Sequence, residues 1–574
     1  MIYFSKNIFV PFFETDSLRR NPRRWIPFML FTVVTASSTV SHSGFFDTSI
    51  LPKHLSAYFL AGISIIVLTI FFNAYKTLYY SRVDRALLYY SLLLGFVLCL
   101  HGDIRGFLNL CLFSTVYFLC RQGSENLKIE SAFNSSLVIC GIYLTFIILW
   151  QIIKRNEING GYDTTSGPAL VLSLIYVFVL NRLIQFRYST NNIIFLIAIA
   201  LTVFSLLSMR TATIAVCSSS ILATRNKLRC LIIFVGIVSI IFLSIYKNDS
   251  TRGRYFIYKT SLSLLDSPRN IFLGRGKAGF RSSYMQFQAQ RLRNESLSKR
   301  NLADNIKHPL NDFLFFAINY GVVLLLAGLF IFVFYVIRGN HDFLSNSIFT
   351  VIFVFSSFTY PFHYPITYIM LAFAIARVSN SLANTSICDN KCYTQVSYVL
   401  YTVIGAFLVV MSFKMWWWNH DWKKAYINGM YGAFDKSLPQ YKKLAESSLA
   451  CDEFYYNWAY MLMMANRAKN AEDIIKKCKF VDYDTQMLRG DLRALEGDVE
   501  PAIRYYQEAS SMCPNKFMPL YAQFNLYERY EMHIEKSRVG YRILTKEEKV
   551  PSTTTRNIKN KVSKILNNSS NQKH

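Results

Sequence analysis

The chain has 574 residues, 52% of them hydrophobic and 16% aromatic, and its mean hydropathy is positive. These values lie outside the range of soluble globular proteins, and the apolar excess is concentrated in roughly the first 415 residues. The formal charge of +27 would suit a nucleic-acid-binding protein, but much of it lies in short connections between apolar runs, so we expect no nucleic-acid partner.

Apolar runs follow one another along this part of the chain. A bilayer core roughly 30 Å thick needs about 20 apolar residues per helix. The strongly apolar runs are Ala57–Phe72, Ser136–Trp150, Leu170–Leu180, Ile193–Leu207, Leu231–Ile245, Leu314–Val336 and Tyr398–Phe413. The weaker runs are Trp25–Val40, Leu87–Leu100, Phe107–Leu119, Thr211–Ala223, Ile348–Phe358 and Pro365–Ala376. The sequence therefore predicts an all-α, polytopic membrane bundle of about thirteen transmembrane helices.

Basic residues alternate between the connections of these runs, and cytoplasmic connections carry the excess of Lys and Arg. With the N-terminus inside, the inside connections hold Arg19, Arg20, Arg23, Arg24, Lys76, Arg82, Arg85, Arg121, Lys128, Arg182, Arg187, Arg225, Lys227, Arg229, Arg338, Arg377 and Lys391. The short outside connections hold only Lys53, Arg105, Lys154, Arg155 and Arg210. We therefore predict a cytoplasmic segment over 1–24, helices 1–9 over 25–246, helices 10–13 over 312–415, and a C-terminus on the outer side of the membrane.

Two segments on the predicted outer side are too large to be simple connections. The first, 247–311, is a polar and basic loop, and loops of this length are usually functional. The second, 416–574, has residues at the spacings of a tetratricopeptide repeat, Gly490, Gly497, Ala502, Tyr506, Ala509 and Pro514, and an offset copy, Ala459, Leu462, Ala471, Ile475 and Cys478. We expect a tetratricopeptide-like domain that binds a protein partner, or else a packing appendage.

Cations at the predicted outer surface are candidates for binding an anion. Arg210 lies between two apolar runs, where an ionisable residue tends to mark function, although an arginine that snorkels to headgroups gives the same pattern. The loop adds Arg254, Arg275 and Arg281, with few acids to balance them. Guanidinium groups bind phosphate oxygens bidentately, which predicts a site for a lipid-linked phosphate or pyrophosphate. Anionic membrane lipid is the simpler alternative ligand.

Two further features of the loop bear on this site. The stretch Leu273–Phe280, here called the glycine turn, contains three glycines and predicts a tight turn with exposed backbone amides. His308 stands near the end of the loop, and a neutral imidazole beside many cations suits a general base. No metal or cofactor is expected, because Cys388 and Cys392 have no second pair of ligands nearby.

Several stretches occur in an informative order: Gly160 to Ala169, Ser208 to Thr211, Gly253 to Tyr258, Pro268 to Phe280, and His308 to Leu314 followed by Tyr320 and Gly321. In this order, over roughly residues 130–380, they resemble the O-antigen ligase superfamily. That superfamily includes lipopolysaccharide O-antigen ligases, O-antigen polymerases and bacterial protein O-oligosaccharyltransferases. Leu310 stands where the family often has histidine. The tail resembles that of members with a tetratricopeptide C-terminal domain.

The resemblance implies a GT-C-like membrane fold and a metal-independent glycosyltransferase. Such an enzyme moves a glycan from an undecaprenyl-diphosphate carrier to an acceptor hydroxyl, here a lipid A-core sugar, at the periplasmic face. By the same resemblance, Arg210 and Arg254 would hold the diphosphate and His308 would take the proton from the acceptor. The remaining substrate contacts would be Arg275, Arg281 and Asn311.

Other functions compete with the ligase. A protein O-oligosaccharyltransferase would use a serine or threonine as its acceptor, and the tail could bind such a protein. A polymerase would extend another repeat unit. A membrane transporter or an assembly scaffold would need no catalytic residues, and the sequence shows no inverted repeat of the kind common in transporters.

Overall fold

The computed structural model of the chain describes residues 25–72, 78–123, 128–154, 157–188, 190–206, 210–223, 248–293, 295–296, 300–337, 342–381, 386–388, 391–549 and 551–571. These residues are mainly α-helical, as predicted. The chain divides into two compact units. The first comprises Met1–Lys247, Leu310–Phe316 and Val322–His420, and the second comprises Asn248–Pro309, Ala317–Gly321 and Asp421–His574.

The described helices before the long loop are α1 (Ile26–Thr39), α2 (Ile50–Phe72), α3 (Arg82–Leu100), α4 (Ile104–Gln122), α5 (Lys128–Ile153), α6 (Ser166–Gln185), α7 (Thr190–Leu206) and α8 (Arg210–Ala223). The loop itself contributes α9 (Asn248–Leu262), α10 (Pro268–Leu273) and α11 (Gly279–Leu292). After it come α12 (Asp312–Tyr320), α13 (Val322–Ile331), α14 (Phe343–Phe358), α15 (Pro365–Ser381) and α16 (Lys391–Met430). Strands β1 (Leu78–Tyr80) and β2 (Ser386–Cys388) pair antiparallel, with Leu78 opposite Cys388.

Apolar helices of membrane-spanning length are present in the first unit. Among the described residues, the stretches long and apolar enough to cross a membrane are Ile50–Thr69, Arg82–Leu100, Ile104–Gln122, Lys128–Ile153, Ser166–Gln185 and Thr394–Met430. Shorter apolar helices are Ile26–Thr39, Asn191–Leu201, Val322–Phe334 and Phe343–Phe358. This content fits an α-helical membrane protein. The number of about thirteen crossings stays a prediction, and the predicted run Leu231–Ile245 lies outside the described residues.

The first unit packs its helices around α15. This helix contacts α1, α2, α4 and α14, and small or branched side chains such as Ala372, Ala374 and Val378 are fully enclosed. By contrast, α3 exposes large apolar side chains: Leu88, Tyr89, Leu92, Leu93, Phe96 and Leu100. A continuous exposed apolar face is expected of a helix that faces lipid.

Ion pairs connect helix ends that the charge alternation predicts to be cytoplasmic. The Arg121 side chain is only 2% exposed, and its Nη2 lies 2.8 Å from Oδ2 of Asp84. The Arg377 guanidinium joins Glu130 (2.7 Å) and Asp342 (2.9 Å). Each of these pairs links segments distant in sequence but predicted to lie on the same side.

A second set of contacts connects segments predicted to be periplasmic. Nε2 of His54 donates to the backbone carbonyl of His363 over 2.9 Å, and Nε2 of His363 lies 3.5 Å from Oδ2 of Asp163. Nζ of Lys53 donates to the carbonyl of Gly161 over 2.8 Å. In these two sets of contacts, connections predicted to be cytoplasmic contact one another, and connections predicted to be periplasmic contact one another. This grouping agrees with the alternation of Lys and Arg along the sequence.

The last helix of the first unit is continuous across the predicted domain boundary. α16 has 40 residues and runs without interruption through Trp416, Trp417 and Trp418, where the sequence predicts the end of a span. A helix of this length is about 60 Å long, or about twice the thickness of a bilayer core. The compact units change within it, between His420 and Asp421.

The predicted periplasmic loop is largely helical in the second unit. Its helix α9 packs on α11, and Phe256, Leu292 and Ala303 form a small apolar cluster within it. The segment therefore has a core of its own, which a basic, polar composition did not predict.

The tail consists of successive helices: α17 (Phe434–Ala445), α18 (Asp452–Met464), α19 (Ala468–Ile475), α20 (Tyr483–Glu496), α21 (Val499–Met512), α22 (Met518–Arg529), α23 (His533–Thr545) and α24 (Thr553–Asn571). Helices α18 and α19, α20 and α21, and α22 and α23 pack as pairs. A Cβ on Gly490 would lie 2.5 Å from the Tyr506 ring, so only glycine permits this approach of α20 and α21. Gly497 ends α20 with φ +86°. The helical pairing is as predicted, and the assignment to the tetratricopeptide class stays a prediction.

The loop and the tail belong to the same compact unit. Nε2 of Gln288 on α11 is completely buried and donates to the carbonyls of Met512 (2.8 Å) and Asp304 (2.9 Å). Nδ2 of Asn305 donates to a carboxylate oxygen of Asp484 over 2.9 Å. Two segments that are separated by the last apolar helices of the chain therefore fold together.

Candidate functional site

Arg210 is the first residue of α8 and is half-buried. A cation at a helix N-terminus opposes the helix dipole, so the stability of α8 does not account for it. The first-turn N–H groups of a helix together with a guanidinium form an arrangement that favours an anion. Arg210 belongs to the first unit.

Arg254 and His308 both belong to the second unit and are both half-buried. Arg254 lies on α9, between Gly253 and the exposed Tyr255. His308 lies in the connection that leads to α12. Burial raises the pKa of the Tyr258 hydroxyl one turn after Arg254, and the guanidinium charge acts against this shift. Because Arg210 lies in the other unit, the convergence of Arg210, Arg254 and His308 stays a prediction.

The backbone directly after His308 is strained. Leu310 has φ +56°, which a branched L-residue adopts at a cost of about 1–3 kcal/mol, and strain of this kind concentrates at functional sites. Asn311 follows it, and its Oδ1 accepts the N–H of Leu314 (2.9 Å) at the start of α12. Its Nδ2 donates to the carbonyl of Ser357 (3.0 Å). Both ends of this amide thus bind protein groups, which favours a positioning role for Asn311 over substrate contact.

The glycine turn binds backbone rather than offering free amides. The N–H of Arg275 donates to the carbonyl of Ile318 (2.8 Å), and that of Gly276 donates to the carbonyl of Asn319 (2.9 Å). The N–H of Phe280 donates to Oδ1 of Asn319 (3.1 Å). The prediction of exposed amides is therefore wrong for these residues, because the end of α12 occupies the concave side of the turn.

This contact joins two of the stretches on which the resemblance rests. Gly274 has φ +72°, and a Cβ there would lie 2.4 Å from the carbonyl of Asn319. Gly321 has φ +99°, and a Cβ there would lie 2.1 Å from the carbonyl oxygen of Phe272. Glycine is required on both sides of the contact, which explains the glycines of both stretches without a ligand.

The guanidinium of Arg275 is directed at protein groups. Its Nε donates to the carbonyl of Leu264 (2.8 Å), its Nη1 to Ser283 (3.2 Å) and its Nη2 to Asp266 (2.7 Å). These contacts join the glycine turn to the connection between α9 and α10 and to α11. They favour a structural role over the predicted role in diphosphate binding.

Arg281 joins the loop to the tail. Its Nη1 lies 2.6 Å from Glu453 and its Nη2 lies 3.2 Å from Asp482, while the guanidinium carbon lies 3.5 Å from the centre of the Phe480 ring. The carbonyl of Arg281 also accepts the N–H of Val481 (3.3 Å). This guanidinium contacts two carboxylates and an aromatic ring of the protein, and these contacts also disfavour its predicted role as a substrate ligand.

A second polar cluster lies in the first unit, and the sequence analysis did not distinguish it. It pairs Asp163, in the connection between α5 and α6, with His363, in the 3₁₀ turn between α14 and α15; their side chains are 33% and 38% exposed. The Tyr364 hydroxyl donates to the other oxygen of Asp163 (3.0 Å). Tyr364 also bonds Ser166 (2.9 Å) and Thr164 (3.2 Å). Asp163 lies within the Gly160 to Ala169 stretch, but no spacing in the sequence links it to His363.

The described residues contain no group of three or more His, Cys, Asp and Glu side chains that could hold a metal ion. No protein-family model, curated protein or solved structure matches the chain. The function is therefore inferred from the sequence motifs and from the geometry above.

Proposed function

We propose that this chain transfers a glycan from an undecaprenyl-diphosphate carrier to an acceptor hydroxyl of a lipid A-core sugar, at the periplasmic face of the bacterial inner membrane. The N-terminus would be cytoplasmic and the C-terminal domain periplasmic. The proposal rests on the order of motifs that resembles the O-antigen ligase superfamily. The observation that carries it furthest is the backbone contact between the glycine turn and the end of α12, which brings two of those motifs together.

The arrangement of the second unit also supports the proposal. Loop and tail share one compact unit, which in a membrane protein requires that both lie on the same side of the membrane. The four crossings predicted between the loop and the tail, helices 10–13, are an even number and meet that requirement. The contacts of the first unit group its connections as the charge alternation does, which is a separate argument for the same topology.

The chemistry needs charge stabilisation and a proton acceptor. The leaving group is already a diphosphate, so the protein has to neutralise growing negative charge and activate a hydroxyl. Arg210 at the start of α8 and Arg254 on α9 would supply the positive charge. The resemblance assigns the proton to His308, beside the strained Leu310.

A protein acceptor is the second candidate, and a groove in the tail favours it. The groove has a volume of about 740 Å³ and lies between α17, α18 and α19. Its floor is apolar, with Leu438, Trp458 and Leu462, and Asp435 and Lys442 lie at its rim. A peptide segment of a glycosylated protein would fit a surface of this kind.

Deletion of the gene tests the reaction class. Loss of long-chain lipopolysaccharide bands on a gel is the expected result and indicates a ligase. Retention of single-repeat bands would indicate a polymerase, and shifted masses of glycoproteins would indicate a protein oligosaccharyltransferase. Unchanged lipopolysaccharide and unchanged glycoproteins would contradict all three and favour a transporter or scaffold.

A pair of variants on α9 tests the proposed diphosphate contact. Arg254→Ala should reduce transfer by about a hundredfold or more, because removal of one electrostatic contact to the transition state costs about 3 kcal/mol. Arg252→Ala is the matched control, since Arg252 is exposed and lies about 200° away around the same helix. Equal loss in the two variants, with equal amounts of membrane-inserted protein, would contradict a specific role for Arg254.

A further inference from the structure

The Asp163–His363 pair of the first unit has the geometry of a proton-accepting site. Nε2 of His363 lies 3.5 Å from Oδ2 of Asp163, and both side chains are about one-third exposed. A carboxylate beside an imidazole fixes the orientation of the ring and stabilises its protonated form. The pair thus combines a group that can accept a proton with a group that stabilises the charge produced, while solvent and a ligand can still reach both.

The surroundings of the pair hold it in place. The Tyr364 hydroxyl fixes the second oxygen of Asp163 (3.0 Å), and the Tyr360 hydroxyl donates to Thr164 (3.1 Å). The Tyr360 ring packs edge-on against the His363 ring, with centroids 5.7 Å apart. On the opposite side, His54 donates to the carbonyl of His363. Three separate elements therefore converge to position one half-exposed imidazole.

Several titratable side chains surround the Asp163–His363 pair. The titratable groups that surround it are Tyr360 and Tyr364 from its own connection, Lys53 and His54 from α2, Asp47 ahead of α2, Arg105 from α4 and Asp312 from α12. Burial raises the pKa of Tyr360, and burial also raises that of Tyr364, with the Asp163 carboxylate adding to both shifts. Both tyrosines therefore remain neutral hydrogen-bond donors at neutral pH, and the imidazole of His363 is the side chain of this connection that can accept a proton from a ligand.

We propose that His363, oriented by Asp163, takes the proton of the acceptor hydroxyl in the glycan transfer, the role that the resemblance assigns to His308. This inference rests on the proposed function. The acceptor O–H bond breaks, its proton goes to a ring nitrogen of His363, and the oxygen forms a bond to the anomeric carbon of the glycan. The bond from that carbon to the carrier breaks, and its electron pair leaves on the diphosphate oxygen. The imidazolium then returns the proton to water.

Several observations favour His363 in this role. The structure shows a carboxylate partner for His363, the side chain of Asp163. Asp163 lies within the Gly160 to Ala169 stretch, which is one of those that carry the resemblance. Hydroxyl groups of Thr164 and Ser166 lie next to the pair and can receive the hydroxyls of a sugar acceptor.

The test is the pH dependence of transfer by the full-length chain in vesicles, with a lipid-linked glycan as donor and purified lipid A-core as acceptor. Wild-type transfer should fall as the pH drops and the imidazole becomes protonated. This fall at low pH is the acidic limb of the pH profile. His363→Gln should lower the rate by about 10²–10⁴-fold and abolish the acidic limb. Asp163→Asn should lower the rate less and move the limb to lower pH, because the carboxylate no longer favours the protonated ring.

His54→Gln is the control for a structural effect. It removes a buried neighbour whose Nε2 donates to the backbone carbonyl of His363, so it should lower the amount of folded protein without moving the pH at which the rate falls. The proposal is overturned if His363→Gln retains the limb, or if His308→Gln abolishes the limb while His363→Gln does not. If the wild-type chain transfers no glycan at any pH, both the proposed function and this inference fail. If it transfers glycan and only the His363 result disagrees, the proposed function stands alone.

Discussion

The two compact units use their charged residues differently. In the first unit, the carboxylates that pair with arginine are largely enclosed, as with Asp84, which is 12% exposed and pairs with the 2% exposed Arg121. In the second unit, some of the carboxylates that pair with arginine are far more exposed, as with Glu453 beside Arg281, which is 53% exposed. The loop also presents exposed cations: Arg252, Lys259, Arg269, Lys277 and Arg293.

This difference follows from the surroundings. An unpaired charge inside an apolar bundle is expensive, and Arg121 and Arg377 of the first unit are paired with carboxylates and join helices. In the second unit, water screens the charges, and an excess of cations is tolerated. A surface of this kind can attract an anionic substrate, and a set of enclosed pairs cannot.

The largest stability effect is expected in the first unit. Asp84→Ala leaves the Arg121 guanidinium buried without its carboxylate, which should cost about 3–5 kcal/mol. The measurement is the melting temperature of the full chain in detergent, followed by tryptophan fluorescence. Asp84→Ala with Arg121→Met is the control, because removal of both charges should restore much of the loss. A melting temperature that does not change in the single variant would show that Arg121 is solvated.

The contact between the glycine turn and α12 is expected to be the next most sensitive. Gly321→Ala places a Cβ 2.1 Å from the carbonyl oxygen of Phe272 at φ +99°, so it should destabilise the second unit by about 1–3 kcal/mol. Gly253→Ala is the matched control, since a Cβ there meets nothing within 4 Å and alanine favours a helix. Limited proteolysis of the two variants compares them, and equal cleavage would contradict the packing described here.

A smaller effect is expected where the loop joins the tail. Arg281→Ala removes the contacts with Asp482, Glu453 and the Phe480 ring, which should cost about 1–2 kcal/mol because the side chain is mostly buried. Hydrogen exchange of the segment around Val481 should become faster. Arg281→Lys should restore little, since a lysine cannot bridge two carboxylates with a planar fork. Unchanged hydrogen exchange in both variants would contradict a role for Arg281 in joining the loop to the tail.

The smallest effect belongs to an exposed pair of the second unit. Asp304 and Lys516 lie 3.5 Å apart and are 51% and 45% exposed. Asp304→Ala should change stability by no more than about 1 kcal/mol, and the change should disappear in high salt. A loss as large as that of Asp84→Ala would erase the distinction between the two units.

Local features of the sequence predicted the helices well, because hydropathy and repeat spacing depend on nearby residues. The pairing of α20 with α21 follows from Gly490 and Tyr506 in this way. The partners of Arg281 and of His363 could not be predicted, since they come from segments far away in sequence and depend on the packing of whole elements. For the same reason, the sequence predicts exposed backbone amides in the glycine turn, whereas the N–H groups of Arg275 and Gly276 bind carbonyls at the end of α12.

The most direct test of the proposed function is a reconstituted reaction. Purified full-length chain, an undecaprenyl-diphosphate-linked glycan and an acceptor are combined in vesicles without added metal or nucleotide. We expect one undecaprenyl diphosphate to be released for each glycan that reaches the acceptor, with release lowered about a hundredfold in Arg210→Ala and Arg254→Ala. Release at the wild-type rate in both variants, or no release by the wild-type chain, would contradict the account.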